Sequence, residues 1–145
     1  MKILVAVDLP GASRAIIAYV KILASTCSGK VWLLHVAEPA PDFVGYEVDP
    51  IPMRNQTAKK YHEEHYQLQQ LSQELCSAGI NCTSLLIQGA IVETIINQAN
   101  KLSIDMIIAG SHGKRVAMSL LLGSTSRDLL HKSSVPVLVI PLDGP

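Results

Sequence analysis

The sequence predicts an open, five-stranded parallel α/β sheet with helices on both faces, and three observations predict it. Five short runs rich in Val, Ile and Leu recur along the chain, at 3–7, 31–36, 84–87, 106–109 and 135–140. They are nearly continuous rather than alternating, which is how strands buried on both faces of a parallel sheet read. Segments with helical apolar spacing separate them, giving the order β-α-β-α-β-α-β-α-β. The chain has 145 residues, 48% of them hydrophobic and 17% charged. That is enough for one core and too little for two, so residues 1–145 are expected to form one domain.

The elements follow in order. The first strand ends at Asp8. Ser13 is placed to cap a helix whose Ile16, Val20 and Leu23 share a face, widened by Ile17 and Ala24. Ser28-Gly29 is its stop signal. After the second strand, residues 57–77 read as a helix with Tyr61, His65, Leu68, Leu71 and Leu75 on one side, and Gly79 follows. A third helix spans about 91–102, with Ile91, Ile95 and Ala99 at i, i+4 and i+8. A fourth starts near Ser126 and runs to about Lys132, before Pro136 restarts extended chain. The connection 38–55 fits no regular element. It holds Pro39, Pro41, Pro50 and Pro52, with Phe43 and Tyr46 among them. A loop of that length is a lid, an interface or a surface excursion without a role.

Composition narrows the function classes. Twelve basic and twelve acidic residues cancel, so no global field recruits nucleic acid or an anionic membrane. The opening apolar run is five residues long and closed by Asp8, too short for a signal peptide, and no stretch is long enough to span a membrane. A cytoplasmic protein is the expectation. Cys27, Cys76 and Cys82 are an odd number and fit no zinc spacing. Cys76 and Cys82 flank a turn at Ala78-Gly79 and could pair under oxidation, although ordinary thiols are the simpler expectation.

Residues 110–125 carry the chemistry: Gly110-Ser-His-Gly113, nine residues, then Gly123-Ser124-Thr125. The stretch lies between the fourth strand and the fourth helix. Glycines let backbone N–H groups approach an anion, and a helix start with two hydroxyls adds donors. In an open sheet, ligands lie beyond the carboxyl ends of strands where the winding reverses. With strand order 3-2-1-4-5 that reversal falls between the first and fourth strands, at Asp8 and Gly110.

Together these residues resemble the universal stress protein family over nearly the whole chain. The resemblance rests on Ile3-Leu-Val-Ala-Val-Asp8, Leu34-His35-Val36, Gly89, the G-x2-G-x9-G-[S/T] loop and Val135-Pro136-Val-Leu-Val-Ile-Pro141. It implies a Rossmann-like fold of the adenine nucleotide alpha hydrolase type. It also implies a bound adenine nucleotide, ATP or AMP. Asp8 would lie beside adenine or ribose, and Val36 would line the base pocket. Ala109, Gly110, His112 and Gly113 would contact ribose and phosphates. Gly123, Ser124 and Thr125 would hold the phosphates, with Mg²⁺ as an accompanying ion. The family precedent is a homodimer through the strand from Val135 to Ile140. The chain departs from the family pattern at Leu9-Pro10-Gly11 and at Ile91.

Other readings fail on particular residues. A Walker A loop ending at Lys114 would need glycine at 108 and a hydroxyl at 115, where Ile108 and Arg115 stand. His62-Glu63-Glu64-His65 is one residue short of HExxH and reads as a solvated helix face. A receiver domain would need an aspartate after the third strand, where Gln88 and Gly89 stand. No nucleophile–base arrangement assembles. The expectation is a nucleotide-binding sensor or regulator rather than a robust catalyst. Slow ATP hydrolysis is the lesser reading, and a nucleotide-independent homodimeric module is the alternative.

Overall fold

The computed structural model describes residues 1–9, 13–39, 50–111 and 124–142. Among them the elements alternate as β1 (Lys2–Ala6), α1 (Ser13–Cys27), β2 (Lys30–Ala37), α2 (Pro50–Ser77), β3 (Asn81–Gln88), α3 (Ile91–Lys101), β4 (Met106–Ser111), α4 (Ser124–Lys132) and β5 (Val137–Pro141). The five strands form one parallel sheet in the order β3-β2-β1-β4-β5. Ile3 of β1 lies opposite both Val31 of β2 and Met106 of β4. The winding therefore reverses between β1 and β4, as the sequence predicts.

Successive strand residues face opposite sides, so each strand feeds two cores. Ile3, Val5, Val31, Leu33 and Ile108 pack with Ile16, Ile17 and Val20 of α1 and Leu68 and Leu75 of α2. Leu4, Trp32, Leu34, Val36, Ile107 and Ala109 pack with Val92, Ile95 and Ala99 of α3 and Leu129 of α4. This double burial explains why the strand sequences lack polar alternation.

Several boundaries differ from the sequence expectation. The second helix begins at Pro50, inside the segment read as structureless. Pro50 and Pro52 occupy its first turn, where the missing N–H groups would have no helical partner anyway. The rest of that connection, with Phe43 and Tyr46, lies outside the described residues. The fourth helix begins at Ser124, two residues earlier than expected, and β5 runs Val137–Pro141 rather than 135–140. On α2, His65 is exposed and Glu64 is buried. The inward stripe is thus Tyr61, Glu64, Leu68, Leu71 and Leu75. The left-handed residue ending α1 is Ser28, at φ 49°, not Gly29, whereas Gly79 (φ 81°) ends the turn after α2.

Candidate nucleotide site

The carboxyl ends of β1 and β4 diverge into a cavity of about 100 Å³. Ala6, Val7 and Asp8 form one wall, and Ala109 and Gly110 the facing one. Leu34, His35 and Val36 of β2 extend the first wall, and Ile91 and Ile95 of α3 lie on the same side of the sheet as Val36. Thr125 and Ser126, in the first turn of α4, close the far side. The result is an apolar slot with polar groups at its edges.

The position of each edge has a local cause. Val7 is tied to β2 because its N–H donates to the Leu34 carbonyl at 2.9 Å, and the chain then leaves the sheet at Asp8. Asp8 is exposed at the rim. Across the slot, the buried Ser126 hydroxyl donates to the Gly110 carbonyl at 3.0 Å. That bond fastens the start of α4 to the end of β4. No carboxylate sits in the first turn of α4, while His131 and Lys132 stand in the last. The first feature leaves the N-terminal end of the helix favourable to an anion, and the second complements its C-terminal end.

Gly110 is needed for space. A Cβ there would stand 2.8 Å from Leu142 Cγ and 3.1 Å from Ile16 Cδ1. Those apolar side chains, not a phosphate, occupy the room that the glycine leaves.

Behind the first wall lies a buried polar pair. His35 Nδ1 is 3.0 Å from the Val7 carbonyl oxygen, and its Nε2 is 3.4 Å from Glu64 Oε2 of α2. Sequence reasoning placed Glu64 on a solvated helix face and missed this contact. It also missed Ser126 as a cavity residue, reading it only as a helix start.

Of the residues that the sequence singles out, the structure brings together Asp8, Val36, Ala109, Gly110 and Thr125 around one cavity. Ser124 is exposed at the first position of α4, beside Thr125. His112, Gly113 and Gly123 lie outside the described residues. A second depression, of about 430 Å³, opens between Glu38, Gly89, Glu93 and Asp128. Its carboxylates make it a poor seat for phosphate.

A family model described as the universal stress protein family matches residues 1–141. The chain belongs to the universal stress protein family. Universal stress protein A homolog 2 of Coxiella burnetii is 30% identical over 99% of this chain and 96% of its own length. The solved structure of protein MJ0577, a universal stress protein of Methanocaldococcus jannaschii, superposes with a TM-score of 0.76 at 28% identity, covering 99% of this chain and 97% of that one. A universal stress protein from Archaeoglobus fulgidus, solved in complex with dAMP, shares the fold at 18% identity with a TM-score of 0.70, covering 97% of each chain. The five-stranded sheet of this chain, in the order 3-2-1-4-5, thus matches the fold of that Methanocaldococcus structure.

Proposed function

We propose that the cavity between β1 and β4 binds an adenine nucleotide, and that the protein is a nucleotide-dependent sensor or regulator of a stress response. The observation that carries the reading is the cavity itself, an apolar slot with Asp8 on one rim and the start of α4 on the other. A purine is flat and largely apolar, so it suits a slot lined by Val36, Ile91, Ile95 and Ala109. The Asp8 carboxylate can accept a hydrogen bond from a ribose hydroxyl or the adenine amino group. Backbone N–H groups at the start of α4, with the hydroxyls of Ser124 and Thr125, face where phosphates would lie. His112, Gly113 and Gly123 complete the phosphate loop in this reading. The same two hydroxyls are hard oxygen donors, so Mg²⁺ would enter with the phosphates. The dAMP held by the Archaeoglobus relative supports the adenylate class.

Isothermal titration with AMP, ADP and ATP tests the reading. Saturable heat with at least one of them is expected, with a matching rise in Tm. No heat and no thermal shift at millimolar ligand would overturn it. Asp8, a carboxylate that lines the same cavity as Thr125, is used in this reading to hold the nucleoside, so phosphate release from ATP is expected to be slow.

A second reading rests on β5, an edge strand with Leu138 exposed and Val137 and Val139 half-buried. Among the described residues nothing pairs with this edge, and such an edge invites a second copy. Light scattering at micromolar concentration should then show a homodimer. Gly113→Val separates the two readings, because a loss of nucleotide with an intact dimer leaves the first standing.

A further inference from the structure

We propose that His35 and Glu64 share one buried proton, and that this shared proton positions the Val7–Asp8 peptide at the cavity rim. The inference deepens the nucleotide-site reading and relies on it only for an affinity readout.

The donor arithmetic is constrained. The Val7 carbonyl can only accept, so His35 Nδ1, 3.0 Å away, carries a hydrogen. A neutral imidazole has a single N–H, so with Nδ1 protonated Nε2 presents a lone pair. Facing it at 3.4 Å is Glu64 Oε2, which is buried and has no hydrogen-bond partner among the described residues. The two side chains are only 5% and 9% exposed. Two lone pairs facing each other out of water are costly. A single proton resolves the conflict. Either an imidazolium donates to a carboxylate, or a carboxylic acid donates to a neutral imidazole. In both descriptions the pair holds one proton and carries no net charge, which is the form that burial favours.

Among the described residues the surroundings supply little else. Lys60 Nζ lies 3.9 Å from the other Glu64 oxygen, on a side chain that is 69% exposed. Asp8 follows Val7 just beyond the end of β1 and is exposed. The Tyr61 hydroxyl donates to the Glu38 carbonyl and accepts from Gln88. From α1 and β3 this layer receives Ile16, Ile17 and Leu86, which carry no charge.

Without the shared proton, one N–H must serve two acceptors. If it turns to Glu64, the Val7 carbonyl loses its donor, and Val7 and Asp8 both line the cavity. His35 is therefore a positioning residue that acts through Val7 and Asp8.

The test uses the full-length chain, labelled with ¹⁵N, and AMP as probe. Long-range ¹H–¹⁵N spectra should show His35 with Nδ1 protonated. Its Nε2 should shift towards the bare-nitrogen position in Glu64→Leu, which removes the partner of the shared proton in either form. His35→Asn keeps a donor near the Nδ1 position and should hold AMP affinity within about threefold, whereas His35→Leu should weaken it about tenfold while remaining folded. A bare Nδ1 in the wild-type protein, or an Nε2 resonance unmoved by Glu64→Leu, would overturn the proposal. So would wild-type affinity in a folded His35→Leu protein. If His35→Leu does not fold, the tautomer spectra with Glu64→Leu and the His35→Asn variant decide. If the wild-type protein binds no AMP, the nucleotide reading fails and the spectra alone judge the shared proton.

Discussion

The two helical layers on the sheet bury similar apolar side chains but place their polarity differently. Under α1 and α2 the core of Ile3, Val5, Leu33, Leu68 and Leu75 also contains the pair His35 and Glu64. Under α3 and α4 the core of Leu4, Leu34, Ile95, Ile107 and Leu129 has Ser126 at its margin. Among the described residues these three are the buried polar side chains. His35 holds the carbonyl of Val7 and Ser126 holds the carbonyl of Gly110. Those carbonyls lie at the ends of β1 and β4, the strands between which the winding reverses. Each layer thus braces one wall of the same cavity, by a titratable pair on one side and by a neutral hydroxyl on the other.

Apolar truncation tests whether the layers are equal as cores. Leu68→Ala in the first and Leu129→Ala in the second remove fully buried side chains. Each should cost about 3 kcal/mol in urea unfolding. A cost near zero for Leu129→Ala would show that the second layer is not close-packed.

Gly110→Ala comes next, because it presses on Leu142 and Ile16 from within the cavity. It should destabilise by about 1–3 kcal/mol and weaken AMP binding, since any relief moves those side chains into the slot. Tolerance of the methyl group without loss of affinity would argue that the slot is wider than it looks.

Ser126→Ala removes a single neutral hydrogen bond and should cost about 1 kcal/mol in a denaturant midpoint. Because a hydroxyl does not titrate at neutral pH, that cost should be the same at pH 6 and pH 8. A pH-dependent cost would place an unrecognised ionisable group in the second layer.

The smallest effect also belongs to the first layer alone. Burial pushes the Cys82 thiol above its usual range. The unfolded chain then releases this proton at lower pH than the folded one. Stability from Cys82 is complete below the ordinary thiol pKa and is lost as pH rises from there through the raised folded value. A shallow alkaline decline in Tm, absent in Cys82→Ala, is expected. An identical decline in both proteins would assign it elsewhere.

The fold was legible because each strand must satisfy two cores, which leaves apolar runs such as Val31-Trp-Leu-Leu34 that no surface element tolerates. The switch point was legible from strand order together with Asp8 and Gly110. Glu64 was not legible. It lies in a run of charged residues, and its burial depends on a partner from β2 that helical periodicity cannot reveal. The start of α2 was hidden by Pro50 and Pro52, which read as loop residues anywhere but in a first turn. Ser126 carried a helix-start signal, and its second task depends on where β4 ends. The phosphate side divides in the same way. Thr125 is placed at the cavity, whereas the roles of His112, Gly113 and Gly123 rest on the glycine pattern and on the family.

The most direct measurement is a ¹⁵N–¹H amide titration of the wild-type protein with AMP. Saturable shifts are expected at Asp8, Val36, Ala109, Gly110 and Thr125, with Ser28 and Gly79 at the opposite end of the strands unmoved. Shifts confined to other surfaces, or none at millimolar AMP, would contradict an adenine nucleotide site between β1 and β4.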